Sequence, residues 1–148
     1  FNTVGPRQTG RYGMVLPNFA QQAIQGDPIR VFGSGEQSRC FGHVADAVEA
    51  VIKLLHTPAA VGEVFNVGTE REVTINKLAE MVRDAAESSS EIVHVPYTEA
   101  YAKGFEDLER RVPDTAKLER ITGYRFQRSL EDIIADVVAD RRARLAAR

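Results

Sequence analysis

Cysteine occurs once in these 148 residues, as Cys40, so no internal disulfide can form. The three histidines, His43, His56 and His94, lie far apart with no paired Cys or Glu at ligand spacing, which argues against structural zinc. Both absences suit a reducing compartment, and a cytoplasmic location is expected. No apolar run approaches the roughly 20 residues of a bilayer-spanning helix, so no membrane segment is expected. Charge of one sign is missing too. Lys and Arg number 19 against 21 Asp and Glu, and a net charge of -2 offers no general attraction for nucleic-acid phosphates or anionic lipid. Internal repeats and low-complexity linkers are absent. What remains has the length and composition of one domain able to bury a sizeable core.

The start of the chain also lacks something. No initiator Met precedes Phe1, and no charged segment followed by an apolar stretch marks a signal peptide. Phe1-Asn2-Thr3-Val4-Gly5-Pro6-Arg7 reads as a strand running into a turn, so the chain is expected to be the C-terminal part of a larger protein.

Helical and strand periods alternate from there. Met14, Val15, Phe19, Ala20, Ala23 and Ile24 recur at helical spacing, and Gly26 marks a stop. Residues 28–32 read as a strand, 33–36 as a hairpin-like turn and 38–44 as a second extended segment. Val44, Val48, Val51, Ile52 and Leu55 form an apolar helical stripe with Asp46 in the favourable first turn. Residues 63–68 read as a strand. Thr74 is placed to cap a helix bearing Ile75, Leu78, Val82 and Ala85, and residues 92–96 return as a strand. The charge-dense stretch from Tyr97 to Val112 reads as a solvated loop. Asp114 is placed to cap a short helix that Gly123 ends. Ser129 and Asp132 have the spacing of a capping box for a last helix carrying Leu130, Ile133, Ile134, Val137 and Val138.

Four ordered segments carry a family resemblance. They are residues 1–7, Val31-Phe32-Gly33-Ser34-Gly35-Glu36-Gln37-Ser38-Arg39-Cys40-Phe41, Val64-Phe65-Asn66-Val67-Gly68 and Arg111-Val112-Pro113-Asp114. Together they resemble the extended short-chain dehydrogenase/reductases that act on nucleotide sugars, UDP-glucose 4-epimerases and UDP-glucuronate decarboxylases above all. The resemblance spans essentially the whole chain. It implies an α/β fold: the C-terminal, substrate-binding part of an extended Rossmann-type enzyme, including elements that complete the Rossmann sheet. Residues 44–68 are expected to pack on an N-terminal Rossmann domain that holds NAD. The full-length protein is expected to be a homodimer.

The family's dinucleotide fingerprint, Gly-x-x-Gly-x-x-Gly, does not occur, and Gly10-x-x-Gly13 or Gly33-x-Gly35 alone reads as a turn. Its catalytic Tyr-x-x-x-Lys is missing as well, because Tyr12, Tyr97, Tyr101 and Tyr124 are followed four positions later by Leu16, Tyr101, Phe105 and Arg128. Catalytic residues are therefore expected upstream of Phe1, and this chain by itself is expected to be inactive.

A nucleoside diphosphate favours fixed guanidinium groups, since Arg forms bidentate, charge-assisted bonds to its oxygens. The resemblance places such arginines at Arg39 and Arg111, whereas Arg7, Arg30 and Arg110 read as solvated charges. It further implies Phe32 as an apolar platform for the base, Val15 as a backbone contact to the nucleotide, Asn2 and Asn66 as substrate contacts, and Phe1 beside the nicotinamide of NAD. Many relatives carry Asp where Ser34 stands, and an aromatic residue where His43 precedes Val44-Ala45-Asp46. His43 reads as a packed or solvent-facing ring rather than a catalytic base. The implied function is binding of the UDP-sugar of an NAD-dependent epimerase/dehydratase, UDP-glucose 4-epimerase first. UDP-glucuronate decarboxylase, or a non-catalytic nucleotide-binding module, is the alternative.

Overall fold

A computed structural model describes residues 1–9, 14–97 and 108–147. Seven short strands and five α-helices alternate through it: β1 (Thr3–Val4), α1 (Val15–Gln25), β2 (Ile29–Phe32), β3 (Ser38–Cys40), β4 (Gly42–His43), α2 (Val44–Leu55), β5 (Glu72–Thr74), α3 (Ile75–Ala85), β6 (Ile92–Val95), β7 (Arg110–Arg111), α4 (Ala116–Thr122) and α5 (Leu130–Ala146). A 3-10 turn, Pro58–Ala60, follows α2.

Several helix ends are set by particular residues, although Met14 before α1 and Thr115 before α4 make no side-chain cap bond. Gly26, at φ 75°, closes α1 in the left-handed conformation that glycine adopts without steric cost. The Thr74 hydroxyl accepts from the Lys77 amide and opens α3. Ser129 and Asp132 form the reciprocal capping box, the Ser hydroxyl accepting from Asp132 N and the carboxylate from Ser129 N. Arg141, Arg142 and Arg144 lie within α5, which runs on to Ala146.

The main core lies among α1, α3, α5 and β2. Leu16, Phe19, Ile29, Val31, Leu78, Val82, Ile133 and Ile134 are buried in one cluster. A smaller cluster joins Ala50 of α2 to Leu118 and Tyr124, with Leu54, Phe65, Val67 and Phe126 packed around it. Three small sheets divide the strands. β1 pairs with β4 and β2 with β6, both in parallel, while β3 lies between antiparallel β5 and parallel β7.

Four local expectations are corrected. The turn at 33–36 connects β2 to β3 in a different sheet, so it closes no hairpin. Residues 38–44 do not form one strand: β3 and β4 join separate sheets before α2 begins at Val44. Residues 63–68 form no strand, and Asn66 instead donates to the Asp114 carbonyl. Within the expected loop, residues 98–107 lie outside the described residues, whereas Arg110–Arg111 form β7 because the backbone of β3 offers them a ladder. The stripe on α2 behaves differently from a core stripe. Val48, Val51, Ile52 and Leu55 are exposed, Leu55 at 78%, and the buried side of the helix is Asp46 and Ala50.

Asp46 is fully buried. Its carboxylate accepts from the Arg128 amide at 3.1 Å, the Arg128 guanidinium at 2.8 Å and the Tyr124 hydroxyl at 2.9 Å, tying α2 to the segment that leads into α5. Burial alone would raise the Asp46 pKa, but these hydrogen bonds and the Arg128 charge outweigh it and hold the carboxyl below its ordinary value. Burial and the Asp46 carboxylate together push the Tyr124 hydroxyl well above the usual phenol range. Asp46→Ala is expected to cost about 2 kcal/mol, because it removes a buried carboxylate that accepts three hydrogen bonds and leaves the Tyr124 hydroxyl and the Arg128 amide short of that acceptor, while the Arg128 side chain can still turn to solvent. The folded pKa is depressed, so this stabilisation is complete above the ordinary Asp value and fades as pH falls through the folded one. Urea unfolding of both proteins at pH 7 and near pH 3 checks it; the gap between them should narrow in acid.

Candidate functional site

The three-strand sheet assembles the proposed anion site. In the register of β3 and β7, Arg39 stands directly opposite Arg111. Residues opposed across a ladder share a face, so both guanidinium-bearing side chains leave the same side of the sheet. Arg39 is 9% exposed and its guanidinium donates to the Ser38 carbonyl at 2.7 Å; Arg111 is open to solvent.

Asn2 joins this pair from the position just before β1. Its amide nitrogen donates to the Cys40 carbonyl at 2.9 Å, and its amide oxygen accepts from Arg111 at 2.8 Å. Its backbone sits at φ 36°, a left-handed conformation that Asn tolerates better than most residues. Asn2, Arg39 and Arg111 therefore form one cluster. Phe1 borders it: its amino group donates to the Val67 carbonyl, and a Cβ on Gly68 would lie 3.1 Å from the Phe1 side chain and 3.4 Å from Pro113.

The other expected residues lie on other elements. Phe32 ends β2, where its carbonyl accepts from the Gln37 amide; that amide also donates to the Tyr97 hydroxyl at 2.9 Å. An open cleft of about 460 Å³ lined by Ser34, Glu36, Gln37, Tyr97 and Glu109 lies alongside. Val15 is the first residue of α1 and packs against the core, while the first-turn amides have no intrahelical acceptor. Asn66 is exposed and its amide nitrogen donates to the Asp114 carbonyl at 2.9 Å.

Some site-shaping residues escaped the sequence reading. Asn76 braces the Gly33–Gln37 loop by donating to the Ser34 carbonyl and to Glu36, and it accepts from His94. Its side chain lies so close to Gly35, at φ 75°, that a Cβ there would fall 1.9 Å from the amide oxygen. The double requirement makes Gly35 the fixed point of the loop. No local pattern links Asn76 to that loop, since the two are 40 positions apart. His43 is buried and caps α2: its Nδ1 accepts from the Ala45 amide, leaving Nε2 to face Asp136 at 3.2 Å. The ring is structural, as expected.

Among the described residues no group of three or more His, Cys, Asp or Glu side chains could hold a metal, and no helix is long and apolar enough to cross a membrane.

The GDP-mannose 4,6 dehydratase family matches residues 1–137 of the chain. The chain is 40% identical over 139 residues to a UDP-N-acetyl-alpha-D-glucosaminuronate decarboxylase of Bacillus cytotoxicus, covering 93% of this chain and 43% of that protein. Among solved structures it is similar to a UDP-glucose 4-epimerase of Thermotoga maritima with UDP-glucose, at TM-score 0.85 and 30% identity, over 97% of this chain and 44% of that one. A UDP-glucuronic acid 4-epimerase of Bacillus cereus, in complex with UDP-glucuronic acid and NAD, shares the fold at TM-score 0.84 and 21% identity over 97% of this chain and 43% of that one. The chain thus spans less than half the length of these proteins.

Cys40, adjoining Arg39, is fully buried, and its thiol pKa is raised by burial first and by Glu72 second. A buried thiol held in its protonated form is a poor nucleophile. Native protein at pH 7.5 is expected to resist iodoacetamide, whereas unfolded protein takes up one equivalent; mass spectrometry of timed samples checks this.

Proposed function

This chain belongs to the GDP-mannose 4,6 dehydratase family, within the extended short-chain dehydrogenase/reductases of nucleotide-sugar chemistry, and from that premise we propose that its residues hold the diphosphate of a UDP-sugar. The observation that carries the proposal is the in-register placement of Arg39 and Arg111 with Asn2 between Arg111 and the β3 backbone. Two guanidinium groups on one face match the charge of two linked phosphates. Phe32 and the cleft beside Gln37 and Tyr97 supply an apolar edge and polar groups for the nucleoside. Asn66 donates one N–H to the Asp114 carbonyl, and its amide oxygen and second N–H are proposed for the substrate. Val15 contributes through its own backbone at the N-terminus of α1.

NAD belongs to the family's chemistry, as hydride carrier. The described residues do not fit its pyrophosphate, because no Gly-x-Gly turn among them leads from a strand into a helix: the Gly33–Gly35 turn runs from strand β2 to strand β3. We assign the cofactor to residues outside this chain, with Phe1 as the contact here. The exposed stripe of α2 supports the companion proposal that residues 44–68 pack on the domain that carries NAD.

Two reactions of the complete enzyme fit a UDP-sugar held this way. Inversion at sugar C4 is supported by the likeness to the UDP-glucose 4-epimerase. Loss of CO2 from a UDP-uronate is supported by the higher identity, 40%, to the decarboxylase, and is the reading we favour. Incubation of the complete enzyme and NAD with UDP-N-acetylglucosaminuronate, UDP-glucuronate or UDP-glucose, followed by NMR of the products, decides between them; C4 inversion of UDP-glucose without CO2 release from either uronate would restore epimerisation as the first reading. In the same protein, Arg39→Ala and Arg111→Ala are each expected to weaken UDP binding by about 1.5–3 kcal/mol, the scale of a hydrogen bond to a charged group, with NAD affinity unchanged. Calorimetry with UDP and with NAD measures both.

A further inference from the structure

Arg110 and Arg111 are consecutive in β7, so they point to opposite faces of the sheet. Arg111 shares the front face with Arg39. Arg110 falls on the back, opposite Ser38, where the register also places Glu72 two positions along from Thr74. There the Glu72 carboxylate takes both arms of the Arg110 guanidinium, at 2.9 Å and 2.6 Å, and the Ser38 hydroxyl donates to it at 2.7 Å. One carboxylate on β5 thus reaches across the central strand and grips the opposite edge strand.

β7 needs such a grip. It is two residues long, it lies at the edge of the sheet, and a ladder that short holds register weakly. An isolated exposed ion pair contributes little, but a bidentate Arg–carboxylate pair with a third hydrogen bond is the geometry in which such pairs do contribute. The Glu72 carboxyl is held below its ordinary pKa by the Arg110 hydrogen bonds first and by Ser38 second, so it stays ionised at neutral pH.

We propose that Glu72, acting through Arg110, is a positioning residue: it anchors β7 from the back of the sheet and so keeps Arg111 beside Arg39 on the diphosphate face. This rests on the diphosphate reading of Arg39 and Arg111. Glu72 touches no ligand in it. The pair also neutralises Arg110, leaving the two front arginines as the cations presented to the anion.

The test is a double-mutant cycle in the complete enzyme, read as the UDP dissociation constant by calorimetry, with thermal midpoints recorded alongside. Glu72→Gln should weaken UDP binding about three- to fivefold, and Arg110→Ala by a similar factor. In an Arg111→Ala background, Glu72→Gln should have no further effect, a coupling that general loss of stability would not produce. The reversed pair Glu72→Arg with Arg110→Glu should regain both folding and affinity, and it covers the case in which Glu72→Gln alone fails to fold. If Arg111→Ala weakens UDP binding while Glu72→Gln leaves it unchanged, the anchor is overturned and the diphosphate reading stands. If Arg111→Ala itself has no effect on UDP, both are overturned. Equal losses from Glu72→Gln with and without Arg111, or a reversed pair that folds without regaining affinity, would also overturn the anchor.

Discussion

Everything proposed for this chain depends on the pairing of β3 with two partners at once. Three residues, Ser38 to Cys40, set the register of β5 on one side and β7 on the other. A strand this short makes few ladder bonds, so its stability comes from what surrounds it: the Cys40 side chain is buried, Asn2 donates to the Cys40 carbonyl, and Ser38 N donates to the Glu109 carbonyl. Displacing β3 by one residue would exchange the two faces, turning Arg39 to the back and Ser38 to the front. The site is therefore a property of the register more than of the individual arginines.

The helices were legible because their signals are local. Gly26, Thr74 and the Ser129–Asp132 pair act within three or four residues, and each terminus stands where its side chain puts it. The periodicity of α2 was equally clear, yet its meaning was not: a stripe of Val48, Val51, Ile52 and Leu55 identifies a helix without saying which surface covers it, and in this chain it stays open. Strands were harder. β5 and β7 have neither length nor alternation, and Arg110–Arg111 reads as a charge run until a neighbouring backbone is there to pair with it.

The site was legible in part, and the reason is sequence separation. Resemblance names Arg39 and Arg111, each inside its own motif, but nothing in either motif says that they stand opposite one another. Along the chain Arg110 reads as a solvated charge, since its partner, Glu72, is 38 positions away. Asn76 and Gly35 pose the same problem, a turn held by a side chain from the next helix but one. Contacts of this kind are fixed by topology, so a reading that moves along the chain meets each half without the other.

Asn2 shows how narrowly one position can be specified. A glycine there would accept the left-handed backbone and lose both tethers. An aspartate would keep a partner for Arg111, but it has no donor for the Cys40 carbonyl and would bring a negative charge into the place where an anion is to bind. A glutamine would carry both amide functions on a longer arm and place them elsewhere, and a serine is too short to span from Arg111 to the β3 backbone. Of these replacements none combines the backbone conformation, the donor, the acceptor and electrical neutrality. Under the diphosphate proposal, a small uncharged side chain is thus held to requirements as narrow as those on the two arginines it accompanies.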